Sequence, residues 1–227
     1  AAALGANLYF TRFTGHGRQP AAMAEATVGR WMDDVGEAIK IGNQIGETVI
    51  IMATSTGATL AAAAALDEAA MENIGGIIFI SPNFAINSRA ASLLTWPFAR
   101  QWVPLVIGAE QQGIARNDLH ARYWTMNYPT TALMPMAAIV AAVDQESFDD
   151  VDIPALFYYS RQDQVVAPDK TAEFARSWGG ASTTLIASLT ADDDKFSHII
   201  AGDIVSPNQT ASAADHILAW IKRLQSR

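Results

Sequence analysis

The chain has no cysteine among its 227 residues, which excludes disulfides, thiolate nucleophiles and thiolate metal sites. It also lacks positive charge: 15 Lys and Arg face 23 Asp and Glu, a formal net charge of −8. Nucleic-acid partners demand a basic footprint for their phosphates, so that class of function is disfavoured. No apolar run reaches the length of about 20 residues that spans a bilayer; the longest, Met134 to Val143, is too short. The opening Ala1-Ala2-Ala3-Leu4-Gly5 has neither the basic flank nor the apolar core of a signal peptide. The four histidines are scattered without ligand spacing, so neither a metal nor another cofactor is expected. With no targeting signal to assess, the cytoplasm is the default compartment, and the oligomeric state is open.

What the chain does have is apolar content, 50% of its residues, enough for one sizeable core. Short, almost continuously apolar runs at Asn7–Arg12, Glu47–Ala53, Gly76–Ser81, Pro154–Ser160 and Thr183–Leu189 suit strands buried on both faces of a parallel sheet. Helical periodicity lies between them. Val28, Trp31, Met32, Val35, Ala38 and Ile39 recur at three- and four-residue steps, predicting an amphipathic helix from Thr27, its cap, to about Gln44. Ser206-Pro207 reads as the cap and first residue of a last helix, with Ala211, Ala214, Ile217, Leu218, Ile221 and Leu224 on its inner face. Alternating strands and helices predict a doubly wound α/β domain, one unit over 1–227. The interval from about 84 to 150, rich in Trp, Met and Pro, predicts several short helices rather than a strand. It serves either as a peripheral layer or as a lid presenting an apolar pocket.

One segment carries chemistry. Val49-Ile50-Ile51-Met52-Ala53-Thr54-Ser55-Thr56-Gly57-Ala58 runs from an apolar strand through a serine flanked by small residues into an alanine-rich helix. That is the layout of a nucleophile elbow, with Ala53 where the motif usually has glycine. Free N–H groups at the helix start are suited to an oxyanion. A serine nucleophile needs a base and the base an orienting carboxylate. His198 follows the run Thr183–Leu189, whereas His120 sits among Arg116, Asp118 and Arg122, and His216 lies inside the last helix. His198 is therefore the expected base. Asp163, just beyond the strand ending at Ser160, is the expected acid. Asp192, Asp193 and Asp194 are rivals by proximity, although three acids in a row read as a solvated loop.

With those residues placed, the chain resembles α/β-hydrolases of the monoacylglycerol lipase, carboxylesterase and serine-aminopeptidase-like group. The resemblance rests on Leu8-Tyr9-Phe10-Thr11-Arg12-Phe13-Thr14-Gly15-His16-Gly17, on Trp31 with Asp34, on the Ser55 elbow, on Ser160-Arg161-Gln162-Asp163-Gln164-Val165-Val166 and on Ser197-His198, in that order. It runs from about Leu4 to Trp220. It implies an α/β-hydrolase fold with a helical lid, Ser55 as nucleophile, His198 as base, Asp163 as orienting acid and the Thr56 backbone N–H as one oxyanion donor. In that group the loop around His16 shapes the active-site rim rather than doing chemistry. The group also carries earlier strands, one of which ends in the loop with the second oxyanion donor. This chain starts after that loop, so the expectation is that N-terminal strands are missing, including one between those near Tyr9 and Ile51.

The function implied is a serine hydrolase cleaving small-molecule carboxylic esters of small to medium acyl groups through an acyl-enzyme. The alternatives are a non-catalytic ligand-binding protein on the same scaffold, kept open by Ala53 and the absent oxyanion segment, and an amidase or aminopeptidase.

Overall fold

The computed structural model describes residues 1–88 and 90–226. Thr27 starts helix α1 (Val28–Ile45): its side chain accepts from the Arg30 amide, and the buried face carries Trp31, Val35 and Ile39 at four-residue spacing. Strand β1 (Val49–Thr54) leads into α2 (Thr56–Ala64), whose alanines let it pack closely, and then into β2 (Ile74–Ile80). After a long interval come β5 (Ala155–Tyr159), α6 (Pro168–Ser177), β6 (Ser182–Ile186) and α7 (Thr210–Gln225). That interval contains β3 (Glu110–Gln112) and β4 (Asn127–Pro129), and the helices α3 (Ala99–Ile107), α4 (Asp118–Tyr123) and α5 (Leu133–Val143).

The strands β1-β2-β5-β6 form a parallel sheet in that order. Alternation along the central strands divides the core. Ile77, Phe79 and Phe157 face a cluster with Trp31, Val35, Leu60 and Trp178. Ile78 and Leu156 face Trp220 and Ile221 of α7. Both faces are covered, which is why the central strands are apolar at every position. Gly76 sits where a Cβ would lie 2.7 Å from the Trp220 ring, so its bareness lets α7 press onto β2.

The structure corrects four local expectations. Asn7–Arg12 is not a strand: it is irregular, with Leu8, Tyr9 and Phe10 exposed, and is held by a hydrogen bond from the Asn7 side chain to the Ile45 carbonyl. Tyr9 and Ile51 are not paired, and β1 is the edge of the described sheet with Met52 exposed. An apolar run becomes a strand only where a neighbour accepts its hydrogen bonds. Second, the 84–150 interval contains the predicted short helices but also an antiparallel ribbon in which Gln111 pairs with Tyr128. Two three-residue strands are too short to leave a periodic signal.

Third, Ser206 and Pro207 open the helical segment as predicted, but the Ser206 side chain makes no capping hydrogen bond. Pro207–Gln209 forms a 3-10 turn before α7, and the Ser206 hydroxyl accepts from the Asp194 amide and donates to the Ile199 carbonyl. Fourth, the inner face of α7 is the predicted one only in its second half: Ile221 is buried and Ile217 and Leu224 pack on the same cluster, but Ala213 and Trp220 are buried as well, whereas Ala211 and Ala214 are exposed. Trp220, the largest apolar side chain on the helix, determines which way it turns.

Candidate active site

Three loops at the carboxyl ends of the parallel strands converge. Ser55 stands between β1 and α2 with φ 51° and ψ −123°, a conformation that costs a non-glycine residue energy. Main-chain bonds hold it there. Its amide donates to the Ile80 carbonyl at 3.0 Å, and its carbonyl accepts from Ala58 at 3.0 Å and Asn83 at 3.1 Å. Ala53 is buried at the end of β1, where its methyl is accommodated. At Gly57 an added Cβ would lie 3.6 Å from the Phe13 ring, an ordinary contact. At the Gly57 flank the elbow thus leaves more room than the small-residue pattern suggests. Thr56 is the first residue of α2, so its amide has no acceptor within the helix.

Asp163 follows β5 and is buried; its Oδ1 accepts from the Val165 and Val166 amides at 2.8 and 2.9 Å. Its Oδ2 lies 2.7 Å from His198 Nδ1, and His198 Nε2 lies 3.1 Å from Ser55 Oγ. The structure therefore brings Ser55, His198 and Asp163 into one hydrogen-bonded chain. It leaves the other histidines apart. His120 Nδ1 accepts from the Arg116 amide, His216 is exposed on α7, and exposed His16 packs against Trp31. Trp31 and Asp34 secure the His16 loop instead: the Trp31 indole donates to the Thr14 carbonyl, and Asp34 accepts from the Thr14 amide.

A profile of the family described as serine aminopeptidase, S33, matches residues 2–203. The chain belongs to that family. No curated protein matches it significantly. Among solved structures, this S33-family chain is similar to one reported for LipS and LipT, two metagenome-derived lipolytic enzymes. That pair has a TM-score of 0.70 and 21% identity, covering 93% of this chain and 80% of the other. It is also similar to monoacylglycerol lipase from Paleococcus ferrophilus (TM-score 0.62, 14% identity, 92% and 78% covered). A third likeness is to a soluble variant of monoglyceride lipase from Saccharomyces cerevisiae, solved with a substrate analogue (TM-score 0.69, 12% identity, 95% and 76% covered). The fold is that of the α/β-hydrolases.

The acidic run before His198 differs from its sequence reading. Asp192 is exposed, but Asp193 and Asp194 are buried, so the run is not a solvated loop. Asp194 Oδ2 accepts from the backbone amides of His198 and Ile199, both at 2.9 Å, and so binds the main chain of the His198 loop, not the imidazole. The signal available in sequence was proximity alone, which cannot distinguish these two roles. Asp193 Oδ2 takes the Thr190 amide and hydroxyl and the Gln209 side chain. Burial is the largest single influence on Asp193 and disfavours its charge. The bonds from Thr190, Gln209 and Asn208 outweigh it together and hold the carboxyl below the usual carboxylate range. A depressed folded-state pKa gives stability that is present above the unfolded value and lost as pH falls through the folded one. Asp193→Asn is therefore expected to lower the melting temperature at neutral pH. It should also flatten the loss of stability on acidification, as measured by thermal scans from neutral pH downward. An unchanged acid limb would remove Asp193 from that role.

Among the described residues no helix is long and apolar enough to cross a membrane.

Proposed function

We propose that the chain is a serine hydrolase of carboxylic esters with small to medium acyl groups. The observation that carries this reading is the chain of contacts Ser55 Oγ–His198 Nε2–Asp163 Oδ2, 3.1 and 2.7 Å long, ending on a serine at positive φ. With the Nδ1 proton on the Asp163 side, Nε2 has a free lone pair facing the serine hydroxyl. Ser55 Oγ attacks the ester carbonyl while His198 takes its proton. The tetrahedral oxyanion accepts from the Thr56 N–H, and His198 returns the proton to the departing alcohol. The acyl-enzyme then reacts with a water deprotonated by His198, releasing the acid and restoring Ser55. The reaction calls for no metal or cofactor.

We assign the 84–150 interval as a lid within a single domain spanning 1–227. Support comes from the exposed Trp96, Phe98, Leu105 and Ile114, an apolar set suited to an acyl chain. The lipolytic and monoacylglycerol lipase neighbours favour esters over amides. The family description favours a second reading, aminopeptidase-type cleavage, which needs an anionic subsite for a free amine beside Ser55.

Fluorophosphonate labelling with the modified residue located by mass spectrometry tests the reading. Stoichiometric labelling of Ser55 with turnover of a p-nitrophenyl ester is the expected result. A folded protein that resists the label and binds a ligand reversibly would be a non-catalytic binding protein.

A further inference from the structure

One carboxylate gathers the backbone amides of the loop that carries His198. Asp194 Oδ2 accepts from the amides of His198 and Ile199, and Asp194 Oδ1 accepts from Phe196 at 3.3 Å. Between these lies Ser197, a non-glycine residue at φ 55°, which is a strained conformation. The turn is thus wound around a single side chain that is 4% exposed. A buried carboxylate requires a compensating charge or a full set of donors.

The compensating charge comes from far along the sequence. Arg116, just before α4 in the 84–150 interval, places Nη1 3.5 Å from Asp194 Oδ1 and donates from the same nitrogen to the Asp193 carbonyl at 2.8 Å. Next to it, the Asn117 side chain donates to the Ile204 carbonyl at 2.7 Å while its oxygen caps α4. The interval is therefore pinned to the base loop at two adjacent residues. The other bonds of the Asp194 carboxylate are to the main-chain amides of Phe196, His198 and Ile199.

We propose that Arg116 and Asp194 are positioning residues, through which the 84–150 interval sets the location of the His198 ring relative to Ser55 and Asp163. This rests on the proposed role of His198 as the base. Displacing a reacting group by about 1 Å can cost 10²-fold in rate, and the Nε2–Oγ contact at 3.1 Å has little slack before it ceases to be a hydrogen bond.

The test compares Arg116→Met, Arg116→Lys and Asp194→Asn, with Arg122→Met as a control for loss of positive charge nearby. Two quantities are read: kcat and KM on a p-nitrophenyl ester, normalised to sites titrated by fluorophosphonate, and the downfield proton resonance of His198 Nδ1–H. Normalisation removes any loss through misfolding, which a merely structural role would produce. For Arg116→Met and Asp194→Asn, kcat per titrated site should fall by about 10- to 100-fold, with KM within about twofold of the parent. The resonance should shift or broaden. Arg116→Lys should recover part of kcat, and Arg122→Met should match the parent. An unmoved resonance in both principal variants overturns the proposal, as does kcat per site within about twofold of the parent. If the parent itself neither labels nor hydrolyses while the variants still move the resonance, the hydrolase reading fails and the positioning link stands.

Discussion

Ser55→Ala is expected to abolish ester hydrolysis and fluorophosphonate labelling while leaving the fold intact. The loss in turnover should be about 10⁶-fold, the size seen when a triad nucleophile is removed from another hydrolase. The serine contributes to the elbow almost wholly through its main chain: its amide binds Ile80 and its carbonyl binds Ala58 and Asn83. Those bonds survive the substitution. Among the described residues the side chain makes one hydrogen bond, to His198 Nε2, so alanine removes the proposed nucleophile and little else. The positive φ is as unfavourable for alanine as for serine, which leaves the strain unchanged. Circular dichroism and the melting temperature should match the parent. Turnover close to that of the parent would refute Ser55 as nucleophile.

Asp163→Asn should reduce kcat by about 10⁴-fold, the cost of the wrong histidine tautomer in a comparable triad, with KM nearly unchanged. Asparagine can keep its carbonyl on the Val165 and Val166 amides, where Asp163 Oδ1 now accepts. Its NH₂ then faces His198 Nδ1, the position of Asp163 Oδ2. A donor there forces the imidazole proton onto Nε2, and a protonated Nε2 cannot accept from the serine. The geometry stays and the chemistry stops, so the variant should fold normally, bind ester and turn it over slowly. An unaffected rate would mean that another group orients the imidazole. Asp194 is poorly placed for that, since it is spent on backbone amides and Arg116, and Asp192 is exposed.

Much of this protein was legible in its sequence because the relevant patterns are local. The Thr27 cap and the four-residue spacing of Trp31, Val35 and Ile39 need only the geometry of one helix. The Ser55 elbow needs one strand, one turn and one helix. Asp163 could be singled out because it closely follows a buried strand, and His198 because it follows the last strand of the sheet; parallel strands deliver all such loops to the same end of the sheet.

Other features depend on partners remote in the chain. Asn7–Arg12 has the composition of a strand, but among the described residues no strand pairs with it. The face of α7 was decided by where Trp220 meets Gly76 across the sheet. Asp193 and Asp194 look like a solvated run until Gln209, Ser206 and Arg116 are brought around them. The sequence by itself determined the alternation of strands and helices, the turn at Ser55 and the chain positions of Ser55, Asp163 and His198 after their strands, because backbone preference and side-chain period act over a few residues. Tertiary structure alone decided which apolar run found a partner, which carboxylates were buried and what fastens the His198 loop, because hydrogen bonding and burial are settled only when distant segments meet.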